Sequence, residues 1–230
     1  MQLPLVYVLI PAFNEAASIA NVIRDIPQNL VKEIIVIDNG STDQTAQVVL
    51  NAGATLLSEP KKGYGRACLK GIEYLKGKVS NWDVIVFLDG DYSDFPQEMP
   101  LLIQPILTGN AELVIGSRVS RNRQPGSMLP QQVFGNWLAT RLIKAFFNVR
   151  FSDLGPFRAI KWEALEKINM QDKTYGWTVE MQVKAAKLNF ICSEVPVSYR
   201  KRIGISKVSG TVKGTILAGY KILFTIFKNI

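Results

Sequence analysis

The sequence predicts an α/β fold built on an open, mostly parallel sheet flanked by helices, and two observations carry that expectation. Through the first half, short β-branched runs alternate with stretches of helical period, the pattern of βαβ units. The chain has 230 residues, 47% of them apolar, enough for one such domain with a sizeable core. Strands are expected at 5–10, 33–37, 55–57, 84–88 and 113–115, with helices near 16–25, 43–51, 65–76 and 97–107 between them. Ser41 or Thr42 is the expected N-cap of the second helix, and Gly53 its stop. Beyond Arg118 the pattern loosens: a loop rich in Arg, Ser, Gly and Pro, a helix with an apolar face at 133–147, an irregular segment ending at Arg158, a helix at 177–188 and a strand at 190–199. No repeat or low-complexity linker interrupts the chain. One domain over residues 1–208, with halves 1–117 and 118–208, and a C-terminal helix over 209–230 is the economical division.

Composition removes several classes. There is no histidine, which excludes a Ser-His-Asp triad, a histidine base and any His-ligated zinc. Two cysteines, Cys68 and Cys192, make neither a disulfide framework nor a four-thiolate metal site, and they fit a reducing compartment. The first residues lack the basic and apolar regions of a signal peptide, so a cytosolic catalytic part is expected.

The net charge of +8 is unevenly placed. Residues 113–152 carry Arg118, Arg121, Arg123, Arg141, Lys144 and Arg150 and no acid; residues 195–230 carry seven further basic residues and again no acid. Two basic blocks beside an acidic remainder point to an anionic ligand or an anionic membrane surface rather than to nucleic acid, with a merely solvated basic face as the alternative for either block. On a helical wheel Lys213, Lys221 and Lys228 fall within about 80° of one another, with Ile216, Leu217, Ile222, Leu223, Phe224, Ile226 and Phe227 over much of the rest. The tail therefore reads either as an in-plane interfacial anchor or as a helix docked on the protein's own core.

Ligands of open parallel sheets bind at the carboxyl ends of the strands. Just past the expected strands stand Pro11-Ala12-Phe13-Asn14-Glu15, Asp38-Asn39-Gly40-Ser41-Thr42-Asp43 and Asp89-Gly90-Asp91. Glu15, Asp38, Asp89 and Asp91 would converge on one rim and repel unless a divalent cation and the polar groups of a nucleotide relieved them. Asp89 and Asp91, two residues apart at the end of an apolar strand, suit a hard cation such as Mg²⁺ or Mn²⁺. Lys62-Gly63-Tyr64-Gly65 opens a helix whose amides could face an anion, but Cys68 stands where the dinucleotide fingerprint needs glycine.

Together with Gly116-Ser117-Arg118, Asp153–Arg158 and Arg202-Ile203-Gly204-Ile205-Ser206-Lys207, these pieces resemble glycosyltransferase family 2, of GT-A fold, and within it the branch of dolichol-phosphate mannose and glucose synthases. The resemblance covers nearly the whole chain in the family's order. It implies a metal-dependent inverting transferase moving a hexose from a UDP- or GDP-sugar to a polyprenyl phosphate on the cytosolic face of a membrane, with a separate membrane subunit as a further partner. Residues 1–117 become the nucleotide-sugar half and 118–208 the acceptor half. Pro11, Phe13, Glu15 and Asp38 would line the base and ribose pocket, with Ala12, Gly63 and Gly90 in the same donor site. Asp89 and Asp91 would hold metal and diphosphate; Arg118, Arg202, Ser206 and Lys207 would hold the acceptor phosphate. The sequence departs from the family in having Asn39 after Asp38 and Leu154-Gly155-Pro156 before Phe157-Arg158. A phosphate acceptor is largely ionised at neutral pH and needs positioning rather than a base. If the acceptor is instead a saccharide or protein hydroxyl, Asp153 or Glu180 is the expected catalytic base.

Overall fold

In the computed structural model, which describes residues 3–119, 123–204 and 212–230, a seven-stranded sheet runs in the order β3-β2-β1-β4-β6-β5-β7. The strands are β1 (Val6–Ala12), β2 (Glu33–Asp38), β3 (Thr55–Ser58), β4 (Val84–Phe87), β5 (Leu113–Ser117), β6 (Arg158–Lys161) and β7 (Cys192–Pro196). The helices are α1 (Ile19–Asp25), α2 (Thr45–Asn51), α3 (Tyr64–Leu75), α4 (Met99–Leu107), α5 (Pro130–Phe147), α6 (Trp162–Ile168), α7 (Trp177–Lys187) and α8 (Val212–Lys228). All pairings are parallel except those of β6, which runs antiparallel to both β4 and β5.

β1 and β4 are buried along their whole length, as expected of central strands covered on both faces. One core layer places Leu9, Ile35, Ile37 and Phe87 against α3, α5, α6 and α7; the other places Val8, Ile10, Val36 and Val86 against α1, α2 and α4. Continuity of the sheet from β5 to β6 and β7 joins the two expected halves into one structure.

The structure changes two local expectations and keeps a third. β6 and α6 stand in the stretch from Arg158 to the helix at 177, where the sequence suggested no element, because a four-residue strand bounded by Arg158 and Lys161 carries almost no pattern. Neither Ser41 nor Thr42 caps α2: the helix starts at Thr45, and Asp43 Oδ1 accepts the Thr45 backbone N–H (3.0 Å) and hydroxyl. Gly53, at φ +77°, does end α2.

α8 is docked, not detached. It lies against α5 and α7, with Ile226 buried in the core, Ile222 packed beside it and Lys221 ion-paired to Asp172 (2.9 Å). The expected lysine stripe is thus divided, since Lys221 faces inward to a partner. The outer face is apolar instead: Ile216, Leu217, Tyr220, Phe224 and Phe227 are exposed and lie within about 100° on the wheel. Among the described residues no helix is long and apolar enough to cross a membrane.

Candidate active site

Strand direction explains why distant segments meet. The carboxyl ends of β1, β2 and β4 share one edge of the sheet, in register at Ala12 opposite Asp38 and Leu9 opposite Phe87. β5 and β7 bring Arg118 and residues 197–202 to the same edge. Because β6 is antiparallel, it is the segment before it, Asp153–Phe157, that arrives there, with Arg158 opposite Phe87. A cavity of about 820 Å³ opens along this rim.

Of the residues expected in the donor site, Pro11, Ala12, Phe13, Glu15, Gly63, Asp89, Gly90 and Asp91 line the cavity. Lys62 caps the Phe13 ring, its Nζ 4.4 Å from the centroid. Asp38 turns to its own loop, accepting the Ser41 N–H (3.1 Å), and Asn39 lines the cavity in its place. Asn39 donates from Nδ2 to the carbonyls of Glu59 and Lys61 and accepts the Gly63 N–H at Oδ1 (2.7 Å). It thereby pins the loop after β2 to the start of α3. The amides at that helix start are not presented to an anion: Gly63 N–H goes to Asn39, and Gly65 and Arg66 donate to the carbonyls of Thr174 and Lys173. Gly63 is required for this contact, at φ +146° and with a Cβ that would lie 2.3 Å from the Lys173 carbonyl oxygen.

Asp91, 3% exposed, has both carboxylate oxygens engaged. Oδ1 accepts the Ser93 N–H (2.8 Å) and hydroxyl, and Oδ2 is ion-paired with Arg202 Nη2. Asp89 Oδ1 accepts the Tyr64 hydroxyl (3.0 Å). Burial, and secondly the charge of Asp91, push the Asp89 carboxyl up to about 6. Burial works against the Arg202 cation, but the charges of Asp91 and Asp89 outweigh it and raise its pKa. Two carboxylates this close, one of them held in its charged form only at a cost, fit a hard divalent cation, which takes one or two carboxylates and completes its shell from phosphate and water. Among the described residues no group of three or more Asp, Glu, Cys or His side chains is arranged to hold a metal ion, so Asp89 and Asp91 would be the protein's contribution.

Arg118 and Arg202 both line the cavity. Ser206 and Lys207 lie outside the described residues. Arg118 is fixed by Asp153, with Nε and Nη2 donating to the two carboxylate oxygens (2.8 Å each) and its backbone N–H to Oδ2 (2.7 Å). Burial opposes the Asp153 charge, yet Arg118 holds its carboxyl below the usual range. Asp153 is fully buried and does not line the cavity. Glu180 does not line it either: its carboxylate accepts the backbone N–H groups of Gln171 and Asp172 and pairs with Lys184 (2.7 Å). The expected role of these two acids as a base does not fit their placement, because both are committed to structural partners away from the cavity. The run 200–202 is divided as well. Arg200 stacks on Tyr92 and Phe95 and donates to the carbonyls of Tyr92 and Asp94, whereas Arg202 reaches the rim.

The far wall of the cavity is apolar and helical. α5 contributes Phe134, Leu138 and Ala139; α8 contributes Ala218, Ile222 and Leu223. Sequence reading did not place α5 at the site. The only signal available was its freedom from acids, shared with α8. Trp177 lines the cavity too, but it is buried and packs edge-on against Phe87 (5.9 Å) as part of the core.

Residues 7–169 match the model of the family described as Glycosyl transferase family 2. The uncharacterized glycosyltransferase Mb0553 of Mycobacterium bovis is 33% identical over 217 residues, 93% of this chain and 94% of its own. The low-salt glycan biosynthesis hexosyltransferase Agl6 of Haloferax volcanii is 29% identical over 208 residues, 87% of this chain and 49% of its own. Glucosyl-3-phosphoglycerate synthase from Mycobacterium tuberculosis, solved with Mn²⁺, UDP-glucose and phosphoglyceric acid, superposes with a TM-score of 0.78 at 23% identity, covering 98% of this chain and 79% of that one. That likeness bears out the expected GT-A architecture.

Proposed function

The chain belongs to glycosyltransferase family 2, and from that premise we propose that it transfers a hexose from a UDP- or GDP-sugar to a polyprenyl phosphate at a membrane surface. One observation carries the reading. The cavity is charged at one end, with Asp89, Asp91, Arg118 and Arg202, and apolar at the other, between α5 and α8. A nucleotide sugar and an acceptor phosphate suit the first end; a hydrocarbon chain suits the second.

Phe13, with Lys62 over its ring, offers a face for the base, and Asn39 holds the loops on either side of it. Mg²⁺ or Mn²⁺ on Asp89 and Asp91 would supply the positive charge that neutralises the departing diphosphate. An oxygen of the acceptor phosphate attacks the anomeric carbon from the face opposite the leaving group, the bond to the diphosphate oxygen breaks, and the nucleoside diphosphate departs with inversion. Arg118, held rigid by Asp153, orients the acceptor phosphate, and Arg202 joins it. With the acceptor already ionised, no side-chain base is needed.

Membrane attachment rests on α5 as much as on α8. Val133, Phe134, Trp137, Arg141 and Lys144 are exposed and share one face of α5 within about 100°. Phe146 of α5 meets Phe227 of α8 edge-on (5.7 Å). Aromatic side chains beside Arg141, Lys144 and Lys228, with no acid on either helix, suit an anionic bilayer at its headgroup level. A separate membrane subunit is a further candidate partner for the same surface.

The test is an incubation with labelled UDP- and GDP-hexoses, Mn²⁺, and polyprenyl phosphate, 3-phosphoglycerate or soluble saccharides as acceptor. Butanol-extractable label appearing only with the polyprenyl phosphate is the expected result. Label passing solely to phosphoglycerate, the compound named with the mycobacterial synthase, or solely to saccharide hydroxyls would overturn the lipid acceptor.

A further inference from the structure

Arg202 is drawn to two anions. The proposed reaction wants its guanidinium on the acceptor phosphate, yet it sits on Asp91 Oδ2, the oxygen opposite the one already taken by Ser93. Asp91 is buried, so its two oxygens are the whole of what it can offer, and a cation drawing on Oδ2 must contend with a positive charge in contact with that atom. The seat also leaves Arg202 incompletely satisfied: its Nε is buried and, among the described residues, has no hydrogen-bond partner. A guanidinium settled permanently in a buried site normally has its donors paired, as Arg158 does with the carbonyls of Leu154, Gly155 and Thr178.

The strap carrying Arg202 is built to hold its base while its end moves. Arg200 N–H donates to the Ser93 carbonyl (2.9 Å), its side chain is clamped by Tyr92, Asp94 and Phe95, and Lys201 N–H donates to Gln124 Oε1 (2.8 Å). Beyond them, among the described residues, a single backbone bond, from Ile203 N–H to the Asp91 carbonyl (3.0 Å), holds the strap to the rim before Gly204 at φ +85°. A swing of the Arg202 side chain disturbs none of the anchors at 200 and 201.

We propose that Arg202 is an exchangeable counter-ion: it occupies the carboxylate that the divalent cation takes, and its displacement by that cation delivers the guanidinium to the acceptor phosphate. The inference rests on the assignment of Asp91 as a metal ligand and adds an order to the reaction. Cation and donor enter first, and the acceptor phosphate finds its second arginine only afterwards. A phosphate arriving early meets Arg118 alone, which limits unproductive occupation of the site.

Mn²⁺ binding to the full chain without nucleotide, followed by the electron paramagnetic resonance of free Mn²⁺, tests this directly. Arg202→Gln should tighten Mn²⁺ binding about 5- to 30-fold, because a competing charge has been removed. Arg202→Lys, which keeps the charge and serves as the folding-conservative control, should stay within about threefold of the parent. Equal or weaker binding by the Gln variant, with an unchanged melting transition, overturns the exchange while leaving the metal site standing. Asp91→Asn should abolish binding in both the parent and the Arg202→Gln background. Binding that survives Asp91→Asn in both overturns the metal assignment itself.

Discussion

The strand-end rim and the α5–α8 wall face each other across one cavity and are built on opposite principles. At the rim, nearly every polar group has a dedicated partner: Asp91 with Ser93 and Arg202, Asp89 with Tyr64, Asp153 with Arg118, Asn39 with Gly63. On the wall, large apolar side chains are turned outward, Phe134 at 62% and Tyr220 at 65% exposed, and the ring each one meets, Trp137 and Phe224, is itself exposed. The rim is preorganised charge, most of it paired within the protein, with Arg202 Nε left unpaired among the described residues. The wall makes sense only against something apolar, since contiguous exposed aromatic surface is costly to a chain with no use for it. Under the proposed function, the difference would separate where the chemistry is done from where the protein is held.

Removing a rim carboxylate should have the largest effect. Asp91→Asn is expected to lower transfer by at least about 10³-fold in steady-state assays, with the melting transition changed by only a few degrees. Retention of a tenth of the parent rate would detach the chemistry from the rim. On the wall, the double substitution Trp137→Ser with Phe224→Ser should reduce flotation with anionic vesicles by roughly 10- to 100-fold. Transfer to a short, water-soluble prenyl phosphate should remain within about threefold; parallel losses in both assays would show that wall and rim are not separable. These outward-facing changes are cleaner than truncating α8, which would also strip Ile226 from the core and Lys221 from Asp172.

Between the two regions lies Arg118. Asp153→Asn loosens its clamp and should raise the KM for the acceptor phosphate about tenfold with the donor KM unchanged, whereas a catalytic base at this position would depress kcat instead. The smallest effect is one of stability, and it has the opposite sign. Asp89 is held up at about 6 by burial and the neighbouring Asp91 charge, against 3.8 for an unperturbed carboxyl. The folded chain therefore keeps a proton that the unfolded chain releases, which stabilises it below about pH 4 and is lost as pH rises through about 6. Asp89→Asn should accordingly be more stable than the parent by roughly 1–3 kcal/mol at pH 7.5 in urea denaturation, and the gap should close near pH 4. A constant difference across that range would mean that the carboxyl is not strained.

Much of the rim was readable in advance because its residues follow strands whose hydrophobic runs are unambiguous. Val84–Phe87 is apolar and ends abruptly at the carboxylates, and the segments after β1 and β2 stand out in the same way. What escaped reading are the partners. That Gly63 gives its amide to Asn39 rather than to an anion, that Asp153 serves Arg118, and that Glu180 serves the Gln171–Asp172 turn are consequences of chain segments 8 to 35 residues apart meeting in space. β6 was missed for a related reason. Its burial comes from lying between β4 and β5, not from any pattern in its four residues.

The alternating α/β order, the carboxylates at the strand ends and the acid-free composition of the later segments are legible along the chain, because periodicity and charge are local properties. Which face of α8 is inside, that α5 shares its wall, and which acids line the cavity follow from packing alone. Those outcomes depend on which neighbours compete for each side chain, and that competition exists only once the sheet has brought the segments together.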